Sequence, residues 1–165
     1  MKDQATLIRG FANAHTRKNL VIIGMGGLSA YLKALSKRLG LMDRVLFAGY
    51  LTNPYAVIAK ASFFISTSRN DSFPNALLES MALAKPCVFT SCDSGPAEIM
   101  GKAHHFKAHT LTESEYGVLI TECSVYDVAA AIKLFEDESM LEKHSQQSLL
   151  RARFYLGEGC NRILE

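Results

Sequence analysis

An α/β fold, with a Rossmann-like parallel sheet flanked by helices, is predicted by three features of this 165-residue chain. Short continuous apolar runs recur at Leu20-Val21-Ile22-Ile23, Val45-Leu46-Phe47-Ala48 and Cys87-Val88-Phe89-Thr90. Such runs suit strands buried on both faces of a parallel sheet. Segments with helical apolar spacing separate them, so each strand–helix–strand unit reads as a crossover. Three strand ends, at Gly24 to Gly27, Thr67 to Pro74 and Ser91 to Pro96, carry loops of glycine, proline and small hydroxyl residues, the places where open α/β sheets bind ligands.

The chain opens almost directly on a helix. Ala5 to His15 (ATLIRGFANAH) carries Leu7, Ile8 and Phe11 at helical spacing. The strand Leu20 to Ile23 runs into Gly24-Met25-Gly26-Gly27, and a helix from Leu28 to Leu39 follows, with Gly40 as its stop signal. Val45 to Ala48 is the next strand, closed by Gly49-Tyr50. Asn53-Pro54 starts a short helix reaching Ala61, and Phe63-Phe64-Ile65 is the third strand. After the central stretch come a loop, a short strand from Gly117 to Ile120 and two helices. Ser124 and Asp127 predict a capping box for Val125 to Phe135, and Ser139 is expected to start a helix running to about Phe154.

Composition is that of an ordinary globular domain, 48% apolar and 21% charged, and at this length one domain is expected. A net charge of +2 offers no field for nucleic acid, and no run of Lys or Arg suggests an anionic membrane. No apolar run approaches the roughly 20 residues of a spanning helix. Any membrane attachment is expected to come from elsewhere. Cys87, Cys92, Cys123 and Cys160 lack metal or redox spacing, so reduced packing cysteines of a cytoplasmic protein are expected.

The stretch Ser66 to Met100, STSRNDSFPNALLESMALAKPCVFTSCDSGPAEIM, concentrates the chemistry. Asp71 lies in the loop before its helix and Glu79 within it. Pro74 suits the first helical turn, where its fixed φ helps and its missing N–H costs nothing. The N–H groups of Asn75 and Ala76 then fall among the unpaired donors of that turn and can face an anion. Glu79 stands one turn beyond Asn75 on the same face, the single charge in the run ALLESMALA. By itself Glu79 reads equally as a solvated helix charge, and Asp71 as an ordinary Asx-turn.

These residues resemble the signature of the retaining glycosyltransferases often called group 1 or family 4, which have a two-Rossmann-domain (GT-B) architecture. The matching residues are Asp71-Ser72-Phe73-Pro74-Asn75-Ala76-Leu77-Leu78-Glu79, Met81-Ala82 with Lys85-Pro86, and Gly95-Pro96-Ala97-Glu98-Ile99, in an order kept from Lys2 to about Arg153. Two departures are visible. Asp71 is one methylene shorter than the family's usual glutamate, and Ser72 replaces its usual glycine.

The resemblance implies the carboxy-terminal, donor-binding half of such an enzyme. A sugar would pass from a nucleotide diphosphate sugar to an acceptor hydroxyl with retention, as in surface polysaccharide or lipopolysaccharide synthesis. Glu79 would hold the ribose hydroxyls and Asp71, the catalytic candidate, would contact the transferred sugar. Lys2, Ser72, Phe73, Pro74, Asn75 and Ala76 would line the donor site, with Gly24 and Gly26 in a tight turn beside it. No cofactor beyond the donor and no metal is implied, because helix amides and basic side chains stabilise the leaving diphosphate. Family members precede the first helix with a strand and a basic turn, of which only Lys2-Asp3 stands here. The chain is therefore expected to be a fragment lacking that strand and an amino-terminal acceptor domain. Its full-length form is expected to be cytoplasmic, with peripheral attachment at the inner face of the cytoplasmic membrane left open.

Weaker patterns point elsewhere. Gly24-x-Gly26 begins a dinucleotide fingerprint, but Ser29 stands where its third glycine belongs. His104, His105 and His109 have spacing compatible with a metal, in a loop without a strand-end acid; solvated histidines fit better. Glu98 could cap the following turn or reach the ligand. No G-x-S-x-G elbow suggests a serine nucleophile. A sugar-nucleotide epimerase of the same architecture and a non-catalytic nucleotide-binding module are the alternative functions.

Overall fold

The computed structural model describes residues 2–71, 73–92, 95–103 and 106–156. Ser72, His104, His105 and Cys160 lie outside the described residues. The elements follow in the order α1 (Gln4–Ala14), β1 (Leu20–Ile23), α2 (Ser29–Arg38), β2 (Val45–Gly49), α3 (Tyr55–Ile58) and β3 (Phe64–Ser66). Then come α4 (Asn75–Ala82), β4 (Cys87–Thr90), α5 (Pro96–Ile99), β5 (Thr112–Ser114), β6 (Gly117–Ile120), α6 (Val125–Leu134) and α7 (Glu138–Leu156).

The expected alternation is present, and the strands form two hydrogen-bonded groups. β1 pairs in parallel with β2, while β3, β4 and β6 are parallel neighbours in the order β3-β4-β6-β5. β5 runs antiparallel to β6 as an edge, with Thr112 opposite Leu119 and Ser114 opposite Gly117. Three residues carry too short a pattern for β5 to be read from sequence. Among the described residues β1 pairs only with β2 and β3 only with β4, so each has one unpaired edge.

Burial explains why the apolar runs are continuous. Side chains alternate across a sheet. Val88, Val118 and Ile120 therefore join a cluster with Leu7, Ile8 and Phe11 of α1 and Val128 and Ile132 of α6. Cys87, Phe89 and Leu119 face a second cluster, with Leu77, Leu78 and Met81 of α4, Ile99 of α5 and Ala152 of α7. Both faces of β4 and β6 are covered, and every residue of these two strands is buried. The first cluster also takes in Leu20, Ile22 and Val45, so β1 and β2 share a core with the larger sheet. The other face of the β1-β2 pair is open, with Val21 40% and its register partner Leu46 62% exposed, so these two runs are not buried on both faces as expected.

Local chemistry sets the helix ends. Gly40, at φ 71°, closes α2 in a Schellman arrangement, with Leu41 N–H donating to Ser36 at 2.9 Å and Gly40 N–H to Lys37 at 3.1 Å. The capping box of α6 is half formed. Ser124 Oγ accepts from Asp127 N–H at 3.1 Å, but Asp127 Oδ2 accepts from Thr121 N–H, in the turn ahead of the helix, rather than from Ser124. Asp137, not Ser139, caps α7: its Oδ1 accepts from both the N–H and the hydroxyl of Ser139. A charged acceptor one residue before the helix displaces the hydroxyl from that role.

Candidate functional site

The loop from β3 to α4 and the two residues before α1 build the site. Thr67, just past β3, is buried and its hydroxyl lies 3.1 Å from the Lys2 carbonyl and 3.0 Å from that of Asp3. Two residues on, Arg69 donates from Nε to Asp3 Oδ2 at 2.9 Å, with Nη2 at the same distance. Another two residues on, Asp71 Oδ2 accepts from Lys2 Nζ at 2.6 Å. Thr67, Arg69 and Asp71 thus use alternate positions of the loop to hold Lys2 and Asp3. Asp3 itself has positive φ (42°) and accepts from Thr6 Oγ1 at 3.0 Å, which fixes the entry into α1.

The start of α4 differs from its sequence expectation. Pro74 is the residue before the helix, at φ −79° and ψ 85°, rather than within the first turn. The N–H of Asn75 is taken by the Phe73 carbonyl at 3.0 Å, so this amide does not face outward as an anion donor. The tight bend that precedes the helix consumes it. Ala76 remains the candidate amide. Pro74 is buried, Asn75 and Ala76 are exposed, and the Phe73 ring is 56% exposed.

Glu79 is half-buried on α4. It faces Tyr55 at the start of α3, and its negative charge is the chief reason the Tyr55 phenol titrates above the ordinary tyrosine range; burial and a hydrogen bond to Glu79 add to the effect. Tyr55 was not singled out by sequence reasoning, and neither were Thr67 and Arg69. The alternation Thr67-Arg69-Asp71 after a strand was a usable signal for the loop, whereas nothing in the sequence linked Tyr55 to Glu79.

Gly24 and Gly26 lie at the end of β1. Gly24 has φ 115°, a conformation that favours glycine, and its N–H donates to the Gly49 carbonyl at 2.7 Å, tying the ends of β1 and β2 together. A small cavity there is lined by Gln4, Ile22, Gly24, Gly26 and Phe47. Gln4, the first residue of α1, lies two residues from Lys2, so the start of α1 borders the β1 end while Lys2, through Thr67, lies at the β3 end. The structure brings Lys2 and Asp71 into contact and sets Gly24 and Gly26 beside this segment. Glu79 is placed against Tyr55 instead.

The remaining candidates separate from this constellation. Glu98 is exposed in the first turn of α5, and its carbonyl accepts from Arg151 of α7 at 2.7 Å. His109 is exposed. Among the described residues no three His, Cys, Asp or Glu side chains gather as metal ligands. Cys87 and Cys92 are buried and Cys123 exposed, none of the three in a disulfide; burial pushes the Cys87 thiol far up. No helix among the described residues is long and apolar enough to cross a membrane.

Comparison with known proteins gives a consistent picture. A family model described as glycosyl transferases group 1 matches residues 1–149. The chain is 32% identical over 155 residues to the N-acetylgalactosamine-N,N'-diacetylbacillosaminyl-diphospho-undecaprenol 4-alpha-N-acetylgalactosaminyltransferase of Campylobacter jejuni, covering 93% of this chain and 40% of that protein. It is 31% identical over 98 residues to the lipopolysaccharide 1,6-galactosyltransferase of Escherichia coli, covering 57% and 27%. Among solved structures, a mutant of S. aureus TarM in complex with Fondaparinux, alpha-GlcNAc-glycerol and UDP superposes with a TM-score of 0.81 at 18% identity, over 99% of this chain and 31% of that one. Anabaena Alr3699/HepE in complex with UDP gives 0.76 at 21% identity, over 99% and 45%. The chain therefore spans less than half the length of these relatives.

Proposed function

Because this chain belongs to the group 1 glycosyl transferases, we propose that it is their donor-binding half, holding a nucleotide diphosphate sugar at the carboxyl ends of β1 and β3. In the whole protein the sugar passes with retention to an acceptor hydroxyl, in synthesis of a surface polysaccharide or lipopolysaccharide. The names of the Campylobacter and Escherichia relatives support that substrate class. The acceptor is held by a facing amino-terminal domain.

The observation that carries this reading is the 2.6 Å contact between Lys2 and Asp71, which sets a cation and an acid side by side at a strand end. Lys2 would bind the diphosphate, aided by the Ala76 amide and the positive end of α4. Glu79, with two acceptor oxygens and Tyr55 beside it, would take the ribose hydroxyls. Asp71 would meet the transferred sugar. The charge that develops on the leaving diphosphate is met by Lys2 and the helix end, an electrostatic contribution of the oxyanion-hole type.

A calorimetric screen of nucleoside diphosphates and their sugar esters tests this directly. The expected result is saturable binding of one base series, weakened by Lys2→Met and by Glu79→Gln. Absence of binding across uridine, guanosine, adenosine and cytidine series would overturn the donor-site reading.

A further inference from the structure

We propose that Asp71 discriminates the intact nucleotide diphosphate sugar from the free nucleoside diphosphate left after transfer. The proposal rests on the donor-site reading and concerns the order of preference within that site.

In the free chain the Asp71 carboxylate sits 2.6 Å from Lys2 Nζ, the distance at which a phosphate oxygen would bind the same ammonium. The carboxylate thus occupies an anion position. The bracing is on the lysine side. The Lys2 backbone is fixed by Thr67 and its neighbour Asp3 by Arg69, so Lys2 and Asp71 belong to one braced segment. The Asp71 side chain is 20% exposed, against 61% for Lys2. The ammonium therefore retains room for a second anion beside the carboxylate. A lysine has three N–H donors, enough for Asp71 and a phosphate together.

Any phosphate reaching Lys2 then lies within a few ångströms of a fixed negative charge. The distal phosphate of a free nucleoside diphosphate is a terminal group that carries up to two negative charges and no donor at neutral pH, so Asp71 repels it. In the nucleotide sugar the same phosphate is esterified and carries one charge. Its far side presents hydroxyls that can donate to the carboxylate. The same residue accepts from one ligand and opposes the other. Both phosphates are opposed, but the free diphosphate carries one charge more; a unit charge 4 Å from the carboxylate in water is worth about 1 kcal/mol, which converts to roughly a fivefold difference between the two ligands.

The test measures affinities of UDP with UDP-glucose, GDP with GDP-mannose and ADP with ADP-glucose, for the whole chain and for Asp71→Asn. For the series that binds, we expect Asp71→Asn to tighten the nucleoside diphosphate about fivefold and leave the sugar ester unchanged or weaker. The preference for donor over product would then fall. An Asp71→Asn chain that keeps the same ratio, with both ligands shifted equally or not at all, overturns the discrimination while sparing the donor site. A nucleoside diphosphate that weakens as much as it does in Lys2→Met makes Asp71 a strut for Lys2 and also overturns it. If the wild-type chain binds no member of any pair, the donor reading fails and the discrimination with it. Thermal melting of each variant confirms that the loop change leaves the fold intact.

Discussion

Gly10 of α1 lies so close to Val128 of α6 that a Cβ placed on it would stand 2.2 Å from Val128 Cγ1 and 2.4 Å from its Cβ. No substituted residue tolerates that separation, and the Val125 carbonyl would stand only 3.0 Å away as well. This close approach lets α1 bury Leu7, Ile8 and Phe11 against α6 and the sheet.

Two effects compete in Gly10→Ala. Helix propensity favours alanine by roughly 0.5–1 kcal/mol. Overpacking a filled interface costs typically about 1–3 kcal/mol, and contacts this short belong at the upper end. The expected net result is a loss of about 1–2 kcal/mol. It is measured by urea denaturation. Adding Val128→Gly should reduce the penalty of Gly10→Ala, because both close atoms, Cγ1 at 2.2 Å and Cβ at 2.4 Å, are then gone. Additive losses would place the strain elsewhere.

Glu79→Gln should weaken nucleoside diphosphate binding by roughly 1.5–3 kcal/mol, as expected when a charged hydrogen-bond acceptor is lost. The melting temperature should hardly move, since Glu79 is only half-buried. Tyr55→Phe should reproduce part of the loss for a ribonucleotide and none of it for the 2′,3′-dideoxy analogue. Equal effects on both analogues would separate Tyr55 and Glu79 from the ribose.

Stability should fall in mild acid. His144 of α7 is fully buried, with Phe135 edge-on to its ring at 5.4 Å, Glu113 Oε2 3.5 Å from Nε2, and neither ring nitrogen hydrogen-bonded. Burial, with help from Lys143, holds its pKa below the ordinary value of 6.5, and Glu113 opposes them more weakly. The unfolded chain therefore takes up the proton first as pH falls. Stability is full above about pH 6.5 and declines from there until the folded-state pKa is passed. His144→Phe should remove this decline between pH 7 and pH 5, measured as the change in melting temperature. A decline that persists in this window would take it away from His144; Glu113, whose pKa the Lys143 ion pair lowers from 4.5, costs stability only at more acid pH.

Donor binding should survive excess chelator, because Lys2 and the α4 terminus supply the positive charge. Affinity that collapses in chelator and returns with magnesium or manganese would reject this electrostatic scheme.

Residues 1–165 alone should bind a nucleotide weakly and fail to turn over sugar, since holding donor and acceptor together is worth roughly 7–11 kcal/mol in favourable cases. An apolar strand joined directly ahead of Lys2 should raise stability and tighten binding without creating transfer. The unpaired edges of β1 and β3 offer it a place, and Lys2 already stands at the β3 end. Multiple-turnover transfer by the chain alone would contradict this prediction.

The sequence by itself determined the α/β class, the positions of most strands and helices, and the family. Those properties are local. Runs such as Cys87-Val88-Phe89-Thr90 are apolar without a break because both faces of β4 are covered, and Gly40 ends α2 because its positive φ suits glycine. The motif around Pro74 and Glu79 was legible for the same reason, as its residues share one loop and one helix. Only the tertiary structure decided that β5 pairs with β6, that Lys2 meets Asp71 across 69 positions, and that Tyr55 faces Glu79. It also decided that the Asn75 amide is consumed by Phe73. Such pairings depend on where crossovers return the chain and which donor a bend uses first, and neither leaves a periodic mark in the sequence.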